Sequence, residues 1–275
     1  MPAVAPPSPV PAVRSHTTTA LVLFDGAGLA RLGLERAGYA CVGVELDPVM
    51  HHLGQYVGSG CCVLGDARDY ALSACDFDAV WASPPCQRRS TAIKDLTRRN
   101  GLSQPGYSDD LLDWCLTHIS GKVDTWWVEN VTQQGAAHGN NDWGSLYNAA
   151  QFMPDPIQCR NRIIAGCHPP PRTYRDYRRA YPSLGLCPAI TATEYKASGA
   201  SDRCRASRFY GRNLTLDECA YRQGFVVPDE WNRLCNGEST ALGLSAAKWR
   251  QACYRAIGNG VPVYMAKAFG DAANG

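Results

Sequence analysis

Hydrophobic positions fall in short blocks separated by polar turns along most of the chain. Ala20-Leu-Val-Leu-Phe24 is an uninterrupted apolar run and predicts a strand buried on both faces. Asp25-Gly-Ala-Gly28 predicts a tight turn, and the apolar spacing from Leu29 to Ala37 predicts a helix that Gly38 ends. Ala40-Cys-Val-Gly-Val-Glu45 predicts a second strand, Asp47 to Val57 a helix, and Cys62-Val-Leu64 a short strand closed by Gly65-Asp66. Phe77-Asp-Ala-Val-Trp-Ala82 predicts another strand, ending at Ser83-Pro-Pro85. Thr125-Trp-Trp-Val-Glu129 and Arg162-Ile-Ile-Ala165 continue the series. Strands alternating with helices imply the α/β class, with a mostly parallel sheet and helices on both faces. Such sheets bind ligands at the carboxyl ends of their strands, where Asp25, Glu45, Asp66, Cys86 and Glu129-Asn130 all stand.

Two stretches break this rhythm. Residues 1–18 are rich in proline and alanine without apolar periodicity and predict a mobile tail. From His168 to about Ser207 the chain carries Pro169-Pro-Pro171 and several tyrosines, which predicts a less regular insert; regular structure resumes near Leu214.

With 275 residues, 45% of them hydrophobic, the chain can bury one sizeable core, with or without a small satellite domain. No run approaches the roughly 18 to 20 apolar residues that span a bilayer. The N-terminal MPAVAPPSPVPAV lacks the apolar block of a secretory signal, so a soluble, intracellular protein is expected. The 13 cysteines are odd in number and lie in a long chain, so most are read as reduced, buried thiols. They form no Cys-x-x-Cys pair, Cys159, Cys167, Cys187 and Cys204 are irregularly spaced, and the only adjacent histidines are His51-His52; no metal is expected.

The net charge of +2 hides an asymmetry. Between Arg160 and Arg212 stand ten arginines and one lysine against Asp176, Glu194 and Asp202, a local charge of +8 that leaves −6 elsewhere. Only five of the 27 basic residues are lysines, and arginine suits bidentate contacts with phosphate and guanine. A charge run is also simply a solvated face, so charge alone is only the footprint of a nucleic-acid partner.

Three constellations carry chemistry. In Phe24-Asp-Gly-Ala-Gly28 the glycine turn admits a cofactor to the backbone, Glu45 can accept from ribose hydroxyls, and Asp66 can accept from an adenine amino group. Glycines at such turns also arise for steric reasons. In Ser83-Pro-Pro-Cys86-Gln87-Arg88-Arg89-Ser90 a cysteine stands in a rigid turn beside arginines that favour its thiolate; otherwise it is one more small apolar residue. In Trp126-Trp-Val-Glu129-Asn130-Val131 the glutamate is either a helix cap or a desolvated acid able to share a proton with a ring nitrogen.

With these residues in place, roughly 20 to 270 resembles the DNA (cytosine-5)-methyltransferases of bacterial and phage type, with seven blocks in family order. Phe24 to Gly28 resembles the cofactor loop, Glu45 and Asp66 the ribose and adenine contacts, Pro85-Cys86-Gln87 the nucleophile loop, and Glu129-Asn130-Val131 the Glu-Asn-Val block. Gln158-Cys-Arg160-Asn-Arg162 resembles Gln-x-Arg-x-Arg, Arg212 to Phe225 the long late block, and Gly258-Asn259-Gly-Val261 the last.

The resemblance implies a Rossmann-like methyltransferase domain over 19–167, a small target-recognition domain over 168–245, and a C-terminal segment, 246–275, returning to the catalytic domain. It implies S-adenosylmethionine as cofactor, with S-adenosylhomocysteine as product, held by Phe24, Gly26, Gly28, Glu45, Asp66, Pro85, Asn259 and Val261. It casts Cys86 as the nucleophile at C6 of a flipped cytosine, Glu129 as the carboxyl at N3 and the exocyclic amine, and Arg160 and Arg162 as holders of the base, with Arg160 nearest O2. Double-stranded DNA would meet Gln87, Arg88, Arg89, Ser90, Arg172, Arg175, Arg178, Arg179, Arg203 and Arg205. The loop after Cys86 would close over the flipped base, and the 44-residue basic insert 168–211 would read a site of about two to four base pairs.

A monomer in the cytoplasm of a bacterial or phage-infected cell is implied, with a cognate restriction endonuclease or a viral genome as context. The sequence departs from the family at Leu29, Ser83, Arg89 and Gly260. A tRNA cytosine-5 methyltransferase is the alternative on the same scaffold, although the Cys-Phe-Thr signature of that branch is absent. A catalytically silent DNA-binding relative is the other, against which the presence of both Cys86 and Glu129 argues.

Overall fold

The computed structural model describes residues 17–70, 77–85, 110–131, 143–153, 158–170, 187–192, 194, 206 and 209–275. The expected tail therefore lies, up to residue 16, outside the described residues. The apolar runs become strands β1 (Thr19–Leu23), β2 (Ala40–Glu45), β3 (Cys62–Leu64), β4 (Ala79–Ala82) and β5 (Thr125–Asn130). They are followed by β6 (Ser145–Asn148), β7 (Gln158–Cys159), β8 (Asn161–Gly166) and β9 (Cys187–Pro188). Seven of them form one sheet in the order β3-β2-β1-β4-β5-β8-β6, and β7 pairs with β9. β1 runs parallel to both β2 and β4, with Leu21 opposite Val42 on one side and Val80 on the other. The chain thus winds outward in one direction to β3 and in the other from β4, which opens a crevice at the carboxyl ends of β1 and β4.

The mostly parallel sheet is as expected, with one difference of direction. β8 is antiparallel to β5 and to β6. Nothing in Arg162-Ile-Ile-Ala165 reports direction, because both faces of a buried strand are apolar either way. β6 has no counterpart in the sequence reading; with only Leu146 and Tyr147 apolar among four residues it is too short to show a period.

Helices α1 (Leu29–Arg36) and α2 (Pro48–Gly54) follow β1 and β2. α2 starts where Asp47 accepts from the amides of Val49 and Met50 at 2.8 and 3.3 Å, a side-chain cap that the sequence reading placed inside the helix. The remaining α-helices among the described residues are α3 (Asp110–Ile119), α4 (Leu216–Gln223), α5 (Asp229–Asn236), α6 (Ala246–Asn259) and α7 (Val263–Asn274). Among the described residues no helix is long and apolar enough to cross a membrane.

Alternation along β1 sorts the core onto two faces. Ala20 and Val22 pack with Trp81, Trp127 and Ile164 beneath Leu34 of α1 and Met265 and Phe269 of α7. Leu21 and Leu23 pack on the opposite face with Val44, Val80 and Val128 beneath Leu112, Cys115 and Ile119 of α3. A third cluster joins Met50 and Leu53 of α2 to Cys219 of α4, Trp231 of α5 and Trp249 of α6. The indole of Trp231 also donates to the carbonyl of Leu53 at 3.0 Å. The residues from Leu214 to Cys235 therefore pack against α2, the helix that follows β2, and against α6.

α4 begins with a reciprocal cap. The Thr215 hydroxyl accepts from the Glu218 amide at 3.2 Å, and the Glu218 carboxylate accepts from the Thr215 amide at 2.9 Å. Arg212 holds the same carboxylate and, with that backbone donor, pulls its pKa down to about 2. A depressed carboxylate pKa stabilises the fold above its ordinary value near 4.5, and that contribution is lost as pH falls toward about 2. Glu218→Gln is accordingly expected to lower stability at pH 7 by under about 1 kcal/mol, a deficit that narrows as urea titrations move below pH 4.5. A deficit independent of pH would remove the charge from the explanation.

Candidate active site

The loop after β1 turns through positive φ at Phe24 (+57°), Gly26 (+60°) and Gly28 (+84°). Its position is fixed by the end of the neighbouring strand. The Gly26 amide donates to Glu45 Oε2 at 2.7 Å, and the Asp47 amide donates to Glu45 Oε1 at 2.7 Å. Burial pushes the Glu45 carboxyl pKa up, and these two amides oppose the rise. Each oxygen keeps a further lone pair for a hydroxyl donor. Asp66 begins a turn over Ala67–Asp69, accepting from the Arg68 amide at 2.9 Å and from Arg68 Nε at 3.0 Å. The Arg68 guanidinium holds its carboxyl below the ordinary range, so the acceptor expected to meet an adenine amine is already shared. Leu46 and Leu64 are exposed beside these acids, giving the carboxyl edge of β2 and β3 an apolar surface.

On the other side of the crevice β4 leads into Ser83-Pro-Pro85, with Pro85 exposed. The Ser83 amide donates to the Leu23 carbonyl at 3.2 Å, and Asn130 Nδ2 donates to the Pro84 carbonyl at 3.1 Å. The Glu-Asn block is thereby tied to the segment that runs directly into Cys86. Glu129 stands opposite Ile164 in the β5–β8 ladder, which makes Arg162 its diagonal neighbour on the same face. Arg162 Nε and Glu129 Oε1 are 2.5 Å apart, with side chains only 9% and 7% exposed. A buried, paired acid and base at strand ends can orient a ring that carries both donors and acceptors.

The two arginines of the Gln-x-Arg-x-Arg block are held differently: Arg160 by backbone carbonyls, Arg162 by Glu129. Arg160 Nη1 donates to the Ile190 carbonyl at 2.7 Å, and its Nη2 donates to the Gly258 and Gly260 carbonyls at 2.8 and 3.1 Å. It is a buried strut, and Arg162 is the arginine beside Glu129. Gln158, wholly buried, continues the strut, donating to Gln223 Oε1 at 3.0 Å and to the Arg222 carbonyl. Gln223 in turn donates to the Ile257 carbonyl at 2.5 Å. Three separate sequence blocks are thus joined by one buried hydrogen-bond network.

Within the last block, Asn259 is exposed, whereas Val261 is buried in the cluster beneath α7, where its side chain belongs to the core. Gly258 is needed for close approach, since a Cβ there would lie 2.1 Å from the Ala192 amide nitrogen. Gly258→Ala is expected to destabilise the fold by about 1–3 kcal/mol, read as a lower urea midpoint with unchanged slope. A neutral substitution would contradict this packing.

Cys86, Gln87, Arg88, Arg89, Ser90, Arg172, Arg175, Arg178, Arg179, Arg203 and Arg205 lie outside the described residues. Among the described residues ten cysteines are free thiols. Among the described residues no group of three histidine, cysteine or acidic side chains could hold a metal ion. The sequence reading missed Arg31 and Gln223. For Arg31 a signal existed, because an arginine on the apolar side of a helix between Asp25 and Glu35 has no solvent to face.

The sequence matches no protein-family model, and no curated protein sequence matches it. The fold does have counterparts among solved structures. The S. pombe Dnmt2 methyltransferase is similar at a TM-score of 0.53 and 14% identity, over 92% of this chain and 96% of that one. The Entamoeba histolytica methyltransferase EhMeth is similar at 0.53 and 13%, over 92% and 97%. A DNA modification methyltransferase encoded within an E. coli prophage is similar at 0.51 and 13%, over 94% and 99%. The chain has the Rossmann-like fold of S-adenosylmethionine-dependent methyltransferases.

Proposed function

We propose that the chain is an S-adenosylmethionine-dependent methyltransferase acting on C5 of cytosine in double-stranded DNA. The observation that carries the reading is the buried Glu129–Arg162 pair, with Asn130 holding the Pro84 carbonyl two residues before Cys86. Nucleophile and acid are then supplied from adjacent strand ends. The residues around the loop fit the cofactor: Glu45 retains lone pairs for ribose hydroxyls, Leu46 and Leu64 offer an apolar surface, and among the described residues no atom beyond the chain neighbours lies within 4 Å of where a Gly26 Cβ would stand. When bound, S-adenosylmethionine supplies an electrophilic methyl group on a sulfonium centre.

Cys86 adds as thiolate to C6 of the ring and makes C5 nucleophilic. Glu129 accepts from the exocyclic amine and shares its proton with N3, which selects cytosine and stabilises the charge that develops on the ring. Arg162 fixes the carboxyl in that orientation. The methyl group would pass to C5 as S-adenosylhomocysteine leaves; a base, in the simplest case water, would then take the C5 proton, and the freed electron pair would restore the C5–C6 double bond as Cys86 departs as thiolate. The target base must leave the stack to reach these groups. The Arg-rich insert supplies the phosphate and groove contacts.

A pool of duplexes with 5-fluorocytosine in place of cytosine tests the reaction class. Fluorine at C5 leaves no proton to remove, so the Cys86 adduct persists. The expected result is a denaturation-resistant protein–DNA complex that requires S-adenosylmethionine and maps by mass spectrometry to Cys86. A complex formed with fluorinated RNA and not with DNA would move the reading to an RNA substrate. No complex with either overturns it.

A further inference from the structure

Arg31 stands on the buried side of α1 with no exposed surface. A charge in that position survives only with dense compensation. Its Nε donates to Asp25 Oδ2 at 2.9 Å, Nη1 to the Val57 carbonyl at 3.0 Å and to Glu35 Oε1 at 3.3 Å, and Nη2 to the Gly54 carbonyl at 2.7 Å. One guanidinium therefore gathers the loop after β1, the body of α1 and the turn after α2. Glu35 carries the connection onward, accepting from the Ser59 amide at 3.0 Å and from its hydroxyl at 2.6 Å.

The backbone around the pair leaves room for it. A Cβ at Gly43 of β2 would lie 2.2 Å from Asp25 Oδ2, so that strand position is bare where the carboxylate sits. A Cβ at Gly28 would lie 2.5 Å from Arg31 Nη2. The loop is consequently held from two sides. Glu45 holds the Gly26 amide from the end of β2, and the Asp25–Arg31 pair holds the adjacent residue from the interior.

We infer that Asp25 and Arg31 are positioning residues for the cofactor. Their buried ion pair fixes residues 24–28 in the conformation whose backbone receives S-adenosylmethionine, so cofactor affinity depends on the pair although neither side chain touches the ligand. This rests on the cofactor reading above.

The test uses the full chain. Asp25→Asn with Arg31→Met removes the buried pair as a unit and leaves Glu35, still held by the Ser59 amide and hydroxyl, without its arginine. The expected result is a calorimetric Kd for S-adenosylmethionine raised about 10- to 100-fold. Amide exchange should accelerate in residues 24–28 and 54–60 while the strands of the sheet keep their protection. Arg31→Lys keeps one charge against Asp25 but offers a single ammonium to four contacts, and is expected to restore part of the affinity. If the double variant does not fold, Arg31→Lys carries the test, with a Kd above that of the wild type. A variant that binds as the wild type does, or an affinity loss with no change of exchange in 24–28, overturns the positioning role. A wild type that binds no S-adenosylmethionine overturns the cofactor reading, and this inference falls with it.

Discussion

Glu129→Gln is expected to lower kcat/KM for methyl transfer by about 10²- to 10⁴-fold, the range over which a positioned proton-sharing group acts. Glutamine keeps the shape of the side chain and one acceptor oxygen, but it has no acidic proton to share with N3. It also leaves Arg162 buried, only 9% exposed, without its counter-ion. That change destabilises the fold as well, so the rate is to be read per folded molecule, well below the unfolding midpoint of the variant. Were the pair only a strut, stability would fall and the rate per folded molecule would stay near that of the wild type.

Arg160→Met is expected to show the opposite balance. The guanidinium donates to three backbone carbonyls, of Ile190, Gly258 and Gly260. Methionine fills much of the volume and leaves those acceptors buried, at about 1–3 kcal/mol for each that finds no other donor. A total loss on the order of 3 kcal/mol is expected in urea unfolding. The rate per folded molecule should fall far less than in Glu129→Gln. A stable Arg160→Met protein with a collapsed rate would instead put Arg160 at the base, as the resemblance implies.

The contrast between these two arginines also shows where sequence reading stops. Arg160 and Arg162 share the same parity along an extended chain, so alternation assigns them one face. What separates them is that Arg160 falls between β7 and β8, where its side chain turns toward the last block, nearly a hundred residues on. No local pattern reports that distance. The strands of the sheet were legible for the opposite reason: Ala20-Leu-Val-Leu and Ala79-Val-Trp-Ala are apolar at every position because both faces are covered. Glu129-Asn130 was legible because polar residues end an otherwise apolar strand at the binding edge. The engagement of Asp66 by Arg68 could have been read from an acid two residues before an arginine, but only as one of several partners open to either. For Arg31 the flanking Asp25 and Glu35 were a sequence signal, but its contacts to the Gly54 and Val57 carbonyls come only from the packing of α1 on the turn after α2.

Methylation of cytosine C5 through Cys86 is the central claim. Base-resolution bisulfite sequencing of DNA from cells expressing the wild type beside Cys86→Ala measures this directly. The account predicts protected cytosines in one short context, about two to four base pairs, and their loss in the variant. Protection that persists in Cys86→Ala, or none in the wild type while it folds and binds S-adenosylmethionine, would contradict it.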